Sequence, residues 1–398
     1  MLIHLICAAR PNFMKIAPLY HALKKQPWAH PVIVHTGQHY DLNMSDAFFV
    51  DLGLPAPDIN LDVRNGSHAR QTGKVMMAYE ELLMEHRPDL VVVVGDVNST
   101  MAATLAATKV VYPNPGLVLN PDSRYLSGSL KPEAGGPKPI SPSRPLVAHL
   151  EAGLRSFDRT MPEELNRLVT DVLADILWTP SPDADENLIR EGIAPEKIRR
   201  VGNIMIDSLE MLRGTIEKQK SYLNFGLKPG GYGVVTLHRP SNVDNPEILK
   251  QLCEHLRDIA RGMPLVFPVH PRTRKNMEES NLLAALESTK DLFMPAPLGY
   301  TTFMNLVFNC ACVITDSGGI QEETSYLGIP CLTVRENTER PVTITQGTNR
   351  LCQLDDLTRM AGETLREKKR KPANIEYWDG HTADRIVASL RDLYAQTR

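Results

Sequence analysis

Between His149 and Arg167 the chain places three glutamates (Glu151, Glu163, Glu164) and three arginines (Arg155, Arg159, Arg167) in a single short stretch. It follows an apolar run, Pro145 to Leu150, that reads as a buried strand, and it ends in an amphipathic helical pattern over Glu163–Ala174. In open parallel α/β sheets, ligands bind beyond the carboxyl ends of the strands. A carboxylate there can give or take a proton if nearby arginines tune it, and the same arginines can anchor an anionic substrate. A solvated loop of surface ion pairs has the same composition, so the stretch is weighed with the rest of the chain.

Gly95-Asp96-Val97-Asn98-Ser99-Thr100 follows the most apolar run, Val91–Val94. An Asp there is usually a helix cap, but Asn98 or Ser99 can cap equally well and leave Asp96 to face a cleft. Asp96, Glu151 and Glu163 then occupy corresponding strand-end and loop positions, where converging carboxylates suit proton transfer. Arg10 and Lys15 follow the first apolar run where a helix begins, a place that favours phosphate, and Pro18 is tolerable in that helix's first turn. In the second half His238 and Arg239 stand at a strand end, and His270-Pro271-Arg272 repeats the arrangement one unit later. Ile314-Thr-Asp-Ser-Gly-Gly-Ile-Gln-Glu-Glu323 runs a strand into Ser317-Gly318-Gly319 at a helix start. Bare backbone N–H groups there can approach a pyrophosphate, with Glu323 a turn further on, in reach of a ribose hydroxyl pair. The sequence has no Walker A, G-x-G-x-x-G or G-x-S-x-G match.

The elements that must position these residues alternate short apolar runs with longer helical patterns, the signature of βαβ units and a parallel sheet. Strands are expected at residues 2–8, 31–35, 90–95, 145–150, 176–179 and 198–201, and after a Gly/Pro-rich linker at 233–237, 265–269, 292–295, 311–315 and 331–334. Helices are expected near 15–25, 68–86, 99–110, 163–174, 182–191 and 205–218, then 246–261, 272–287, 301–309, 320–327, 355–368 and 383–397. The Pro-, Gly- and Ser-rich segment 112–144 reads as an inserted surface loop. The fold class is therefore α/β, with two doubly wound, Rossmann-like parallel-sheet domains facing a central cleft. Residues 1–218 form the N-terminal domain with the carboxylates, 219–380 the C-terminal domain, and 381–398 a helix packing back toward the first.

At 398 residues two domains are the default, and 42% hydrophobic and 23% charged residues are ordinary for a globular protein. A net charge of −3 gives no electrostatic case for nucleic acid or an anionic membrane. Arg10 interrupts the first apolar run, so it reads as a strand rather than a signal peptide, and no window is long enough to span a membrane. Six cysteines without C-x-x-C or Cys/His ligand spacing argue against structural zinc and for reduced, cytoplasmic thiols.

Together these motifs resemble the non-hydrolysing UDP-N-acetylglucosamine 2-epimerases, a family with the GT-B fold. The resemblance rests on Arg10-Pro-x-x-x-Lys15, Thr36-Gly-Gln-His39, Gly95-Asp96, His149-Leu-Glu-Ala-Gly-Leu-Arg155, Pro162-Glu-Glu-Leu-Asn-Arg167, His238-Arg239, Asp316–Glu323 and Thr338-Glu-Arg-Pro341. It implies loss of the sugar C2 proton while UDP leaves C1, then re-addition of both on the glycal intermediate, without a cofactor or metal. It matches the catalytic carboxylates to Asp96, Glu151 and Glu163, leaving open which is the base, and the cleft histidine to His238. Arg10, Lys15, Arg167 and His238 would neutralise the departing diphosphate. Ser317, Gly318 and Gly319 would bind phosphate and Glu323 the ribose, with Arg272 and the Pro297–Tyr300 loop near the uracil base. A homodimer is also implied. The chain departs from the family in Ala8-Ala9 before Arg10-Pro11-Asn12, in Tyr40–Ser45 after Gln38-His39, and in the 112–144 insertion. Tyr40–Ser45 falls where bacterial relatives form an activating substrate site, and the departures are compatible with a modified UDP-N-acetylhexosamine such as a diacetamido uronic acid. The rival readings are a glycosyltransferase, a hydrolysing epimerase and a UDP-sugar sensor without turnover.

Overall fold

Leu90–Val94, five apolar residues in a row, forms β4, buried at every position as expected of a strand covered on both faces. The computed structural model describes residues 1–37, 51–63, 66–112, 144–366 and 372–396. Within them β4 lies at the centre of a seven-stranded sheet with β1 (Leu2–Cys7), β2 (His30–His35), β3 (Ile59–Asn60), β5 (Leu146–Leu150), β6 (Ile176–Thr179) and β7 (Ile198–Arg200). Its order is β3-β2-β1-β4-β5-β6-β7, with every pairing parallel.

The second sheet repeats the plan with β8 (Gly233–Thr236), β9 (Leu265–Val266), β10 (Leu292–Phe293), β11 (Cys312–Thr315), β12 (Cys331–Thr333) and β13 (Asn349–Leu351). Its order is β10-β9-β8-β11-β12-β13, again all parallel. The winding reverses between β1 and β4 and between β8 and β11, which is where such sheets open a crevice at their carboxyl ends. The result is the GT-B-like pair of doubly wound sheets facing a cleft.

Two edge strands, β3 and β13, are additions to the sequence reading. At two and three residues they carry too little apolar alternation to be seen without their neighbours. The first helix begins at Arg10 rather than Lys15, so Pro18 lies inside it. Asn12 makes the earlier start possible by accepting the Ala8 and Ala9 N–H groups and donating to the Val94 carbonyl. Proline cannot donate to the carbonyl four residues back, and the Ser208 hydroxyl donates to that Met14 carbonyl instead, at 2.5 Å. The helix expected over 272–287 is two, Pro271–Glu279 and Leu283–Glu287, separated by Asn281 in the left-handed region. By contrast His68–His86 has its expected limits, set by a Ser67 cap and a left-handed Arg87. Gln38, His39, Tyr40–Ser45 and nearly all of the 112–144 segment lie outside the described residues.

The Ile204–Lys218 helix packs against the Arg10–Lys24 helix on one side and the Tyr300–Asn309 and Gly318–Leu327 helices on the other. Its apolar side chains join one core cluster that runs from the first sheet to the second. The Thr382–Gln396 helix lies against Arg10–Lys24 and Ile204–Lys218. The Thr382 and Ala383 N–H groups donate to the buried Asp207 carboxylate, and Tyr394 stacks on Trp28. All six cysteines are buried. Among the described residues no helix is long and apolar enough to cross a membrane.

Candidate active site

Asp96 and Glu151 sit just past strand ends, while Lys15, Glu163 and Arg167 are carried by the helices that follow. After β4, Gly95 turns the chain with φ +65°, and a Cβ there would stand 3.1 Å from Lys15 Nζ and 3.4 Å from Glu151 Oε2. Glycine serves both needs: the positive φ and the close approach of the ion pair. After β5, Glu151 itself has φ +76°, a costly conformation for a residue with a side chain. The turn is held because the Glu151 and Ala152 N–H groups both donate to the Trp178 carbonyl.

Below these turns lies a buried support. His149 bridges the Gly95 carbonyl, 2.8 Å from Nε2, and the Asp171 carboxylate, 2.6 Å from Nδ1. Arg155 pairs with Asp171 at 2.7 Å and with both oxygens of Glu191. Burial opposes ionisation of Asp171, but His149 and then Arg155 outweigh it and hold its carboxyl below the usual range. Arg155 is thus committed to the scaffold and is absent from the cleft lining.

The cleft-facing charges form two groups. Glu151 pairs with Lys15, and with Arg340 at 3.3 Å from the opposite wall. Asp96 pairs with Arg167, whose other nitrogen reaches Glu164 at 2.9 Å. Burial works against both cleft carboxylates, yet Lys15 and Arg340 around Glu151, and Arg167, Lys15 and Arg340 around Asp96, keep them below the ordinary carboxylate range. The adjacent glutamates divide their work. Glu164 is buried and accepts from the N–H and hydroxyl of Ser156 and the N–H of Phe157. Glu163 lines the cleft and has no hydrogen-bond or ionic partner among the described residues.

The facing wall belongs to the second sheet. Buried Asp316 accepts from the N–H groups of His238 and Arg239 and from the Asn242 amide, which fixes the loop after β8. The His238 ring lies 5.9 Å from that of His270. Ser317 stands at the N-cap position of the Gly318–Leu327 helix without a side-chain cap bond, and the helix's first turn lines the cleft. Further along it, Glu323 accepts from the Tyr300 hydroxyl at 2.6 Å, and burial pushes its carboxyl up to about 7. The cavity between the walls is about 1320 Å³ and is bordered by Lys15, Asp96, Glu151, Glu163, Arg167, His238, Ser317, Gly318, Gly319 and Glu323. It exceeds the roughly 300–1,000 Å³ of ordinary small-molecule pockets.

Two expected residues stand apart from this group. Arg272 does not line the cavity; it is half exposed and paired with Asp244 at the surface. Arg10 opens the first helix, and its side chain lies outside the described set. The sequence reading gave no role to Arg340, whose Nε is 2.7 Å from the buried Glu322 carboxylate, or to Glu339, held by both Arg335 nitrogens at 2.9 Å. The available signal was Glu339-Arg340-Pro341 in the loop after β12, charged residues past a strand end like the others.

Fold and site together define a two-domain α/β enzyme of GT-B-like architecture, with carboxylates on one wall of the cleft and a glycine-opened helix on the other. The UDP-N-acetylglucosamine 2-epimerase family model matches residues 21–113 and 142–391, and the chain belongs to that family. A UDP-N-acetylglucosamine 2-epimerase of Methanocaldococcus jannaschii is 38% identical over 98% of this chain and 99% of its own. A UDP-2,3-diacetamido-2,3-dideoxy-D-glucuronate 2-epimerase of Pseudomonas aeruginosa is 35% identical over 98% and 99%. The crystal structure of the M. jannaschii UDP-GlcNAc 2-epimerase with UDP-GlcNAc and UDP is similar over 98% of this chain and 100% of that one, with 37% identity and a TM-score of 0.82.

Proposed function

We propose that the protein is a non-hydrolysing epimerase acting at C2 of UDP-N-acetylglucosamine or a closely related UDP-2-acetamido sugar. The observation that carries the reading is the convergence of Asp96, Glu151 and Glu163 on one wall of the cavity, opposite the Ser317–Gly319 turn and Glu323. In the proposed reaction one carboxylate takes the C2 proton, and the C2–H electron pair becomes the C1–C2 π bond. The C1–O bond breaks with its electrons going to the UDP diphosphate. Re-addition of UDP to C1 and of a proton to the other face of C2 gives the manno epimer. Negative charge grows on the diphosphate, so Lys15, Arg167, His238 and the free N–H groups at Gly318 and Gly319 help most there. Arg10 is assigned with them. Glu323 would hold the ribose, and Tyr300, its hydrogen-bond partner, would lie near the base. The surface position of Arg272 supports no direct contact with substrate.

The domain limits 1–218 and 219–380, with 381–398 returning to the first domain, are supported by the two sheets and by the bonds from Thr382 and Ala383 to Asp207. The absence of any C-x-x-C or regular cysteine spacing supports a cytoplasmic setting. Exposed Met77, Leu165 and Val172 on the outer helices of the first sheet support a homodimer face.

Incubation with UDP-N-acetylglucosamine in D₂O, followed by NMR, tests the reading. Epimerisation gives deuterium at C2 and a manno sugar still joined to UDP. An unlabelled sugar would point to a transferase or a sensor, and free N-acetylmannosamine to a hydrolysing enzyme. The same assay with the diacetamido uronate nucleotide decides between the two relatives' substrates.

A further inference from the structure

The Arg340 guanidinium stands between two anionic claims. Across the cleft its NH2 lies 3.3 Å from Glu151 Oε1. On its own side, Nε lies 2.7 Å from Glu322 Oε1, an ionic contact without hydrogen-bond alignment, and the other oxygen of that buried carboxylate has no hydrogen-bond partner among the described residues. NH1 rests on Gly318 so closely that a Cβ there would fall 2.6 Å from it. Gly318 is the first residue of the helix whose free N–H groups form the candidate diphosphate cradle. Glu322 therefore holds the Nε end by charge alone, while the tip lies within a small rotation of both Glu151 and an anion seated at that turn. Glu339, 3.8 Å from NH1, is already occupied by Arg335.

We propose that Arg340 is a counter-ion switch, a positioning residue that pairs with Glu151 in the empty cleft and passes to the diphosphate of a bound nucleotide sugar. Glu151 is then left with Lys15, and its proton affinity rises only when substrate is in place. This rests on the nucleotide-sugar reading of the site. The groups facing Glu151 are Lys15 and Arg340 as cations and Asp96 and Glu322 as acids. Those around Arg340 are Glu322, Glu151, Glu339 and Asp96, with Lys15, Arg167, Arg239 and Arg335 as neighbouring cations. A diphosphate carries more charge than one carboxylate and accepts the planar guanidinium through two oxygens, so it wins the competition. Withdrawing a cation from Glu151 and bringing an anion near it both favour its protonated form. A carboxylate clamped by two cations is a poor proton acceptor, and the exchange relieves this at the moment of binding.

The test is ¹³C NMR of protein labelled at the glutamate carboxyl carbons, titrated with and without UDP, with Glu151→Gln used to assign its resonance. UDP is expected to raise the Glu151 midpoint by about one pH unit, tenfold in proton affinity. Arg340→Gln should show a raised midpoint without UDP, to which UDP adds little, and Arg340→Lys should fall between. UDP that binds by calorimetry yet leaves the wild-type midpoint unmoved, or lowers it, overturns the switch alone. Absence of UDP binding overturns the nucleotide-sugar reading and the switch with it.

Discussion

Lys15 and Glu151, 136 residues apart in sequence, form a buried ion pair where the first helix passes the end of β5. The pair fixes Glu151 at the cavity wall and keeps a cation beside the proposed diphosphate path. Lys15→Gln removes one charge-assisted contact, worth about 1.5–3 kcal/mol. UDP affinity should therefore fall about 10- to 100-fold, as read by calorimetry.

The neighbouring glutamates Glu163 and Glu164 should respond in opposite ways. Glu163→Gln should leave stability within about 0.5 kcal/mol of wild type, because Glu163 has no partner to lose among the described residues. It should lower kcat about 10²- to 10⁴-fold with UDP affinity retained. Glu164→Gln disturbs a buried carboxylate holding two backbone N–H groups, a hydroxyl and Arg167, and should cost on the order of 3 kcal/mol in denaturant unfolding.

Asp96→Asn should abolish turnover while UDP still binds, because Arg167 keeps its Glu164 partner at 2.9 Å. Circular dichroism and UDP calorimetry on the variant, beside the D₂O exchange assay, separate loss of chemistry from loss of fold.

Glu323 gives stability a definite pH slope. Its carboxyl is pushed from 4.5 up to about 7, so between those values the folded protein binds more protons than the unfolded chain. Stability from this group is full below about 4.5 and is lost as pH rises through about 7, by about 3 kcal/mol in all. Unfolding free energies of wild type minus Glu323→Gln, measured from pH 5 to 8, should fall with pH. A flat difference would show that Glu323 titrates normally.

Much of the scaffold was legible because its signals are local. Val91–Val94 reads as a strand covered on both faces, and the pattern over His68–His86 marks a helix in the chain itself. The edge strands β3 and β13 were not legible, since two or three residues gain strand character only from the neighbour they pair with. The site divides in the same way. Asp96, Glu151 and the Ser317–Gly319 turn follow from strand-end position, and Glu163 from the start of the next helix. The work of Glu164 and Arg155 depends on distant partners, Ser156, Arg167, Asp171 and Glu191, which spacing does not disclose. Arg272 occupies a strand-end position like that of His238, but Asp244 holds it at the surface.

The last helix, bonded to Asp207 and stacked on Trp28, has a consequence for motion. The backbone passes from one sheet's territory to the other's near Gln219 and returns near Ile375, after Ala373 has donated to the Ser325 carbonyl. Two such passages act as the two pins of a door. Swinging about the line through them is soft, whereas twisting or sliding would strain one connection or the other. A swing of this kind would bring the walls together in the same register each time.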